Sequence, residues 1–166
     1  MGKQKQKKKQ KRSGVLKLVI ALVVFLAASV LFIGAVGGWF TDQKIILDEE
    51  YYSEEAGLME LSTEEYENLR EAKKSFVVFI DQNGCTTADK LRGYIQDWST
   101  EERIRVYRMM FGEAKNSSLH EYIKYYPSVV LIDKGKVRMY LRADSDEDAP
   151  MYNDYNEFET WIKKWI

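Results

Sequence analysis

Cys85 is the only thiol in the chain, and its surroundings suit a nucleophile. It follows the polar run Asp81-Gln82-Asn83-Gly84 and opens a helical pattern, Thr86-Thr87-Ala88-Asp89-Lys90. A thiol at a helix N-terminus faces unpaired N–H groups and the positive end of the dipole, which favours the thiolate. Asp81 and Asp89 are close in sequence and oppose that effect. A thiolate can attack a partner's disulfide and hold the partner as a mixed disulfide, but releasing it needs a second thiol. With one cysteine there is no second thiol and no internal disulfide, so dithiol oxidoreductase chemistry is excluded for the isolated chain. Two roles stay open for Cys85: a monothiol that exchanges with partners, or a small packing residue in a domain that only binds.

Other chemistry is thinly supplied. His120 is the sole histidine and reads as a surface residue, so neither a histidine metal cluster nor a Cys–His dyad is expected. Asp144, Asp146 and Asp148 alternate as in a calcium loop, yet Ala149 stands where such a loop needs glycine and Tyr155 where it needs glutamate. That stretch reads as a solvated acidic loop, and no cofactor is expected.

The elements around Cys85 follow from hydrophobic periodicity. Phe76 to Ile80 is a continuous apolar run, which suits a strand covered on both faces. Ala88, Leu91, Tyr94, Ile95 and Trp98 recur on helical spacing, with Ser99 and Thr100 at the exit. Upstream, Leu58 to Leu61 reads as a short strand, and Ser62 with Glu65 forms a capping box for a helix bearing Tyr66 and Leu69. Downstream, Ile104 to Phe111 reads as a strand and Gly112 to Asn116 as a loop. Ser118 caps a short helix, with Tyr122, Ile123 and Tyr126 inward and Pro127 as its stop. Ser128 to Ile132 and Val137 to Leu141 flank a hairpin turn at Asp133-Lys134-Gly135-Lys136. A last helix carries Phe158, Trp161, Ile162, Trp165 and Ile166 on one face. The order β-α-β-α-β-α-β-β-α predicts an α/β domain, a mixed sheet flanked by helices.

Residues 57–166 resemble the thioredoxin fold. The strand before Cys85 and the run Cys85-Thr86-Thr87-Ala88-Asp89-Lys90 stand where that family has Cys-x-x-Cys-Lys at a helix start. Tyr126-Pro127-Ser128 resembles the family's strand-leading proline, and Asp133-Lys134-Gly135-Lys136 its hairpin. The resemblance implies a cis Pro127 facing Cys85, and a groove lined by Gly84, Cys85, Thr86, Thr87, Tyr126 and Pro127. The chain departs from the pattern at Ala88, where the second cysteine would be, and at Gly84, where tryptophan is usual. It also lacks the central strand's buried acid, with Val77, Val78 and Phe79 in that region.

Charge and hydropathy divide the chain. Residues 1–17 hold eight Lys or Arg and no acid, whereas residues 41–166 hold 17 basic and 26 acidic residues. Between them, Leu18 to Phe40 carries no charge and one polar side chain, Ser29. Its length of 23 residues, at about 1.5 Å each, spans a hydrocarbon core of about 30 Å. The expected organisation is a basic cytoplasmic head (1–17), a transmembrane helix (18–40), an acidic stalk (41–56) and an extracytoplasmic domain (57–166). The positive-inside rule sets the orientation, and Trp39 and Phe40 suit an interfacial belt. The competing reading is a cleaved signal, for which Ala35 and Gly37 offer small-x-small spacing, but the apolar stretch is longer than such signals use. The head is expected to attract anionic lipid. The acidic remainder argues against nucleic acid and for a protein partner outside the cytoplasm or in the membrane. The layout is similar to membrane-tethered thioredoxin-like proteins of Gram-positive bacteria. It implies a protein-binding accessory subunit of an envelope assembly, with monothiol exchange through Cys85 as the alternative.

Overall fold

The strand from Phe76 is the middle of the sheet because every residue of it is apolar up to its last. The computed structural model describes Val23 and residues 44–166. The basic head and, Val23 apart, the apolar stretch 18–40 lie outside the described residues. Among the described residues no helix is long and apolar enough to cross a membrane.

Five strands form one sheet in the order β1-β3-β2-β4-β5. They are β1 (Gly57–Glu60), β2 (Phe76–Asp81), β3 (Arg105–Met110), β4 (Ser128–Asp133) and β5 (Lys136–Tyr140). β1, β3 and β2 run parallel, whereas β4 is antiparallel to β2 and β5 to β4. The helices are α1 (Thr63–Glu71), α2 (Thr86–Glu102), α3 (Phe111–Asn116), α4 (Ala149–Asn153) and α5 (Tyr155–Trp165). α1 carries the chain from β1 across β3 to β2, and α2 carries it back to β3. Two right-handed crossovers in opposite directions put α1 and α2 on opposite faces of the sheet. β2 is thus enclosed on both sides, and all six of its residues are buried.

The expected order of elements stands, with local corrections. Gly112 to Asn116 is the helix α3 rather than a loop, and it takes Phe111 from the end of the expected strand. α2 runs past Ser99 and Thr100 to Glu102 and closes on Arg103 in the left-handed region. Ser99 stays buried because its hydroxyl donates to the Ile104 carbonyl at 2.5 Å. Ser117, not Ser118, caps the short 3-10 turn Ser118–Glu121, and Glu67 of α1 accepts from the Ser118 amide at 2.7 Å instead. Of the three residues expected inward there, Ile123 is buried, Tyr126 is half-buried and Tyr122 is exposed. The capping box of Ser62 and Glu65 is present in both directions. His120 is half-buried rather than on the surface.

The stalk needs the largest revision. Ile45, Leu47 and Tyr51 belong to the hydrophobic core, and residues 44–166 form one compact unit. Asp48 fastens this segment to the start of β2: its amide donates to the Ser75 carbonyl at 3.3 Å and its carboxylate accepts from the Ser75 amide at 2.7 Å. Glu49, Glu50, Glu54 and Glu55 made the segment read as solvated, and they are exposed. Ile45 and Leu47 before them and Tyr51 among them turn inward.

Candidate functional site

Cys85 sits where the end of β2 turns into α2. Gly84 takes φ +72, open to glycine at little cost, and brings the chain round. Cys85 is the N-cap of α2 through its backbone, its carbonyl accepting from the Asp89 amide at 3.0 Å. Its side chain makes no capping hydrogen bond, and the thiol is free and half-exposed. Thr86 and Thr87 are exposed, whereas Ala88 is fully buried. A packed methyl group occupies the position of the missing second sulfur.

Pro127 arrives from the other side of β2. The Tyr126–Pro127 peptide is cis. Tyr126 is steadied by its hydroxyl, which donates to the Ile123 carbonyl at 3.0 Å, and by the Phe111 ring, edge-on with centroids 4.7 Å apart. Ser128 then pairs with Ile80, so Pro127 comes in beside the same end of β2 that leads to Cys85.

Cys85 and Pro127 line one pocket of about 240 Å³ with Thr87, Tyr126, Ala143, Ala149, Tyr152 and Asn153. Four of the six expected groove residues are therefore together. Gly84 and Thr86 do not line the pocket. They are exposed on the turn and on the first residue of α2.

The remaining wall was invisible as a site in the sequence. It is α4, inside the stretch expected to be an acidic loop. Asp148 fixes this segment. It accepts from the Arg142 amide at 2.7 Å and from the Arg142 guanidinium at 3.0 and 2.9 Å. Burial pushes the Asp148 carboxyl up, and the bonds from Arg142 outweigh it and hold the group low. Asp148 is thus committed to an arginine, and among the described residues no acidic or histidine group is arranged to hold a metal. Tyr152 joins α4 to the proline: its buried hydroxyl donates to the Pro127 carbonyl at 2.9 Å. Burial, helped by Asp148 and Asp144, raises that phenol, so it remains a donor at ordinary pH. Tyr152→Phe is expected to leave the carbonyl unpaired and to lower stability by about 1–2 kcal/mol, read as a lower urea midpoint at unchanged slope.

Asp81 is the second feature that sequence reasoning misplaced. It was expected in the turn, and a buried acid was expected to be absent. It is instead the last residue of β2 and fully buried. Arg92 of α2 grips it with two bonds of 2.8 Å, Arg108 of β3 with one of 2.6 Å, and the Gln82 amide donates at 2.8 Å. Burial pushes the carboxyl up, but the two guanidiniums outweigh it and leave it below its ordinary value. Arg92 also meets Asp89, and Arg108 meets Glu60. The cluster ties β2, β3 and α2 together four residues before Cys85. The sequence hint is that Asp81 ends an apolar run without a break, but its partners lie 11 and 27 positions away.

A second cavity of about 180 Å³ adjoins the first through Ala143 and is lined by Tyr122, Tyr125, Tyr140 and Arg142 among others. Tyr122 and Tyr125 are exposed beside it. The arrangement therefore offers a shallow aromatic surface next to a free thiol, with no resolving sulfur.

No family model matches the chain, and no curated protein matches its sequence. Solved structures do match. The reduced thioredoxin preprotein of Schistosoma mansoni is 18% identical, with 66% of this chain and 99% of that chain covered at a TM-score of 0.50. Thioredoxin O1 of Arabidopsis thaliana in its oxidised state is 13% identical over 66% of this chain and 97% of that one, at 0.49. Thioredoxin of Trypanosoma brucei brucei is 12% identical over 72% and 99%, at 0.46. At such identities the likeness concerns the fold alone, and the first of the three carries it. The chain has a thioredoxin-like α/β fold, and its single cysteine fits a degenerate form of that fold's site.

Proposed function

We propose that this chain is a membrane-tethered, extracytoplasmic binding module that receives a protein segment at the Cys85–Pro127 pocket and serves an envelope assembly as an accessory subunit. The observation that carries the reading is the joint lining of one open pocket by Cys85, Tyr126 and cis Pro127, with exposed Tyr122 and Tyr125 alongside. Tyrosines supply rigid contact area with a polar tip, which suits a peptide-sized guest. The tether rests on the apolar stretch 18–40 between a basic head and a net-acidic remainder. The basic head meets anionic lipid on the cytoplasmic side.

Monothiol exchange is the second reading, and the half-exposed thiol in the pocket wall favours it. In that reaction the Cys85 thiolate attacks one sulfur of a partner disulfide. A new S–S bond forms, the partner's other sulfur leaves as thiolate, and a thiol from another molecule later frees Cys85. Cys85→Ser separates the readings. Crosslinking in membranes is expected to capture the same partner with the variant as with the parent chain. A partner band that is lost from non-reducing gels with Cys85→Ser, together with loss of crosslinked capture, would favour the thiol enzyme instead.

A further inference from the structure

The point where the chain enters the domain carries a surface whose composition resembles a membrane interface. Ile46 is 82% exposed between the buried Ile45 and Leu47. The Ile45 amide donates to the Trp165 carbonyl at 2.6 Å, and Lys44 Nζ donates to the Ile166 carbonyl at 2.9 Å. These bonds place Ile46 beside the end of α5. There Trp161, Trp165 and Ile166 are only half-buried, and Lys164 lies 5.1 Å over the Trp165 ring. Tryptophan with flanking lysine and an aliphatic side chain is the set that settles at lipid headgroups, the ring taking the apolar side and the ammonium the wet side.

Chain length supplies the occupant. Three residues, Thr41 to Gln43, separate Phe40 from Lys44. Consecutive Cα atoms stand about 3.8 Å apart, so Lys44 lies within about 15 Å of the end of the apolar stretch. The headgroup layer on one side of a bilayer is about 5–8 Å thick by the difference between total and hydrocarbon thickness. A surface tied this closely is never far from lipid.

We propose that Ile46 and the end of α5, with Trp165 and Lys164, dock on the lipid headgroup surface of the bilayer on the domain's side. The inference rests on the tether reading and goes beyond it, because a tether alone leaves the domain free to turn. Docking fixes which end of the domain faces lipid.

The test uses the full chain in phosphatidylcholine–phosphatidylglycerol vesicles that carry a headgroup spin label. An environment-sensitive dye is placed at Ile46→Cys in a Cys85→Ser background, and in a second sample at Tyr122→Cys. Both positions are exposed, so folding is undisturbed. The expected result is co-flotation of both samples with the vesicles and quenching several-fold stronger at position 46 than at 122. Flotation with equal quenching overturns docking and spares the tether. A blue-shifted but unquenched dye at 46 means that protein covers the surface, and also overturns it. Failure to float overturns the tether, and the docking with it.

Discussion

Asp81→Ala is expected to lower the stability of the domain by about 3 kcal/mol, the lower end of the range for breaking a buried ion pair. The fully buried carboxylate balances two guanidiniums that are themselves only 30% and 24% exposed. Removing it leaves both poorly hydrated. Asp89 and Glu60 still reach Arg92 and Arg108, which holds the loss to the lower end. Asp89→Ala removes an exposed partner of the same Arg92 and should cost well under 1 kcal/mol. Urea unfolding of the two variants gives the contrast, and equal losses would refute the central role of Asp81. The pH dependence has a definite sign. The folded-state carboxyl titrates below its ordinary value, so its contribution is fully present above the unfolded value of about 3.9. It is lost as pH falls from there through the folded value. The gap between the parent chain and Asp81→Ala should therefore be constant at neutral pH and close below about pH 4.

Gly135→Ala is expected to cost a comparable amount, about 2–5 kcal/mol. Gly135 has φ +75, where a side chain costs about 1–2 kcal/mol, and an added Cβ would meet the Arg70 carbonyl oxygen at 2.1 Å. That neighbour is backbone at the end of α1 and cannot rotate away, so overpacking adds a further 1–3 kcal/mol or so. The Gly135 amide also donates to the Lys74 carbonyl at 2.8 Å, and moving the hairpin would break that bond. Gly84→Ala is the comparison: its φ is similar, but an added Cβ there meets nothing within 4 Å. It should cost only about 1–2 kcal/mol. Thermal melts that show the same loss for both would remove the steric argument.

These two residues also show what a sequence can and cannot disclose. Lys134-Gly135 announces a tight hairpin because positive φ has few occupants, and the turn is there with φ 50 and φ 75. The resting of that turn on α1 is a tertiary contact with no local mark. The same divide runs through the site. Cys85 at a helix start and the flanking strands were legible, since each has a local signal in periodicity or turn chemistry, whereas the cis form of Pro127 came only with the resemblance to the thioredoxin fold. The Asp81 cluster was not, because a lone acid after apolar residues reads as a turn until two arginines from other elements arrive over it. α4 was hidden for a related reason. Acidic residues from Asp144 to Asp154 look solvated in composition, and only the grip of Arg142 on Asp148 turns the segment inward to build a pocket wall. Ile45, Leu47 and Tyr51 were masked by glutamates in the same way.

The fastening of Asp48 to Ser75 sets a distance within the domain. Ser75 precedes the first residue of β2, and the pocket lies beyond its last, Asp81. Six residues of strand at about 3.3 Å each set the two roughly 20 Å apart. The segment around Asp48 and the pocket therefore occupy opposite ends of the central strand, and a change at one reaches the other only along the length of β2.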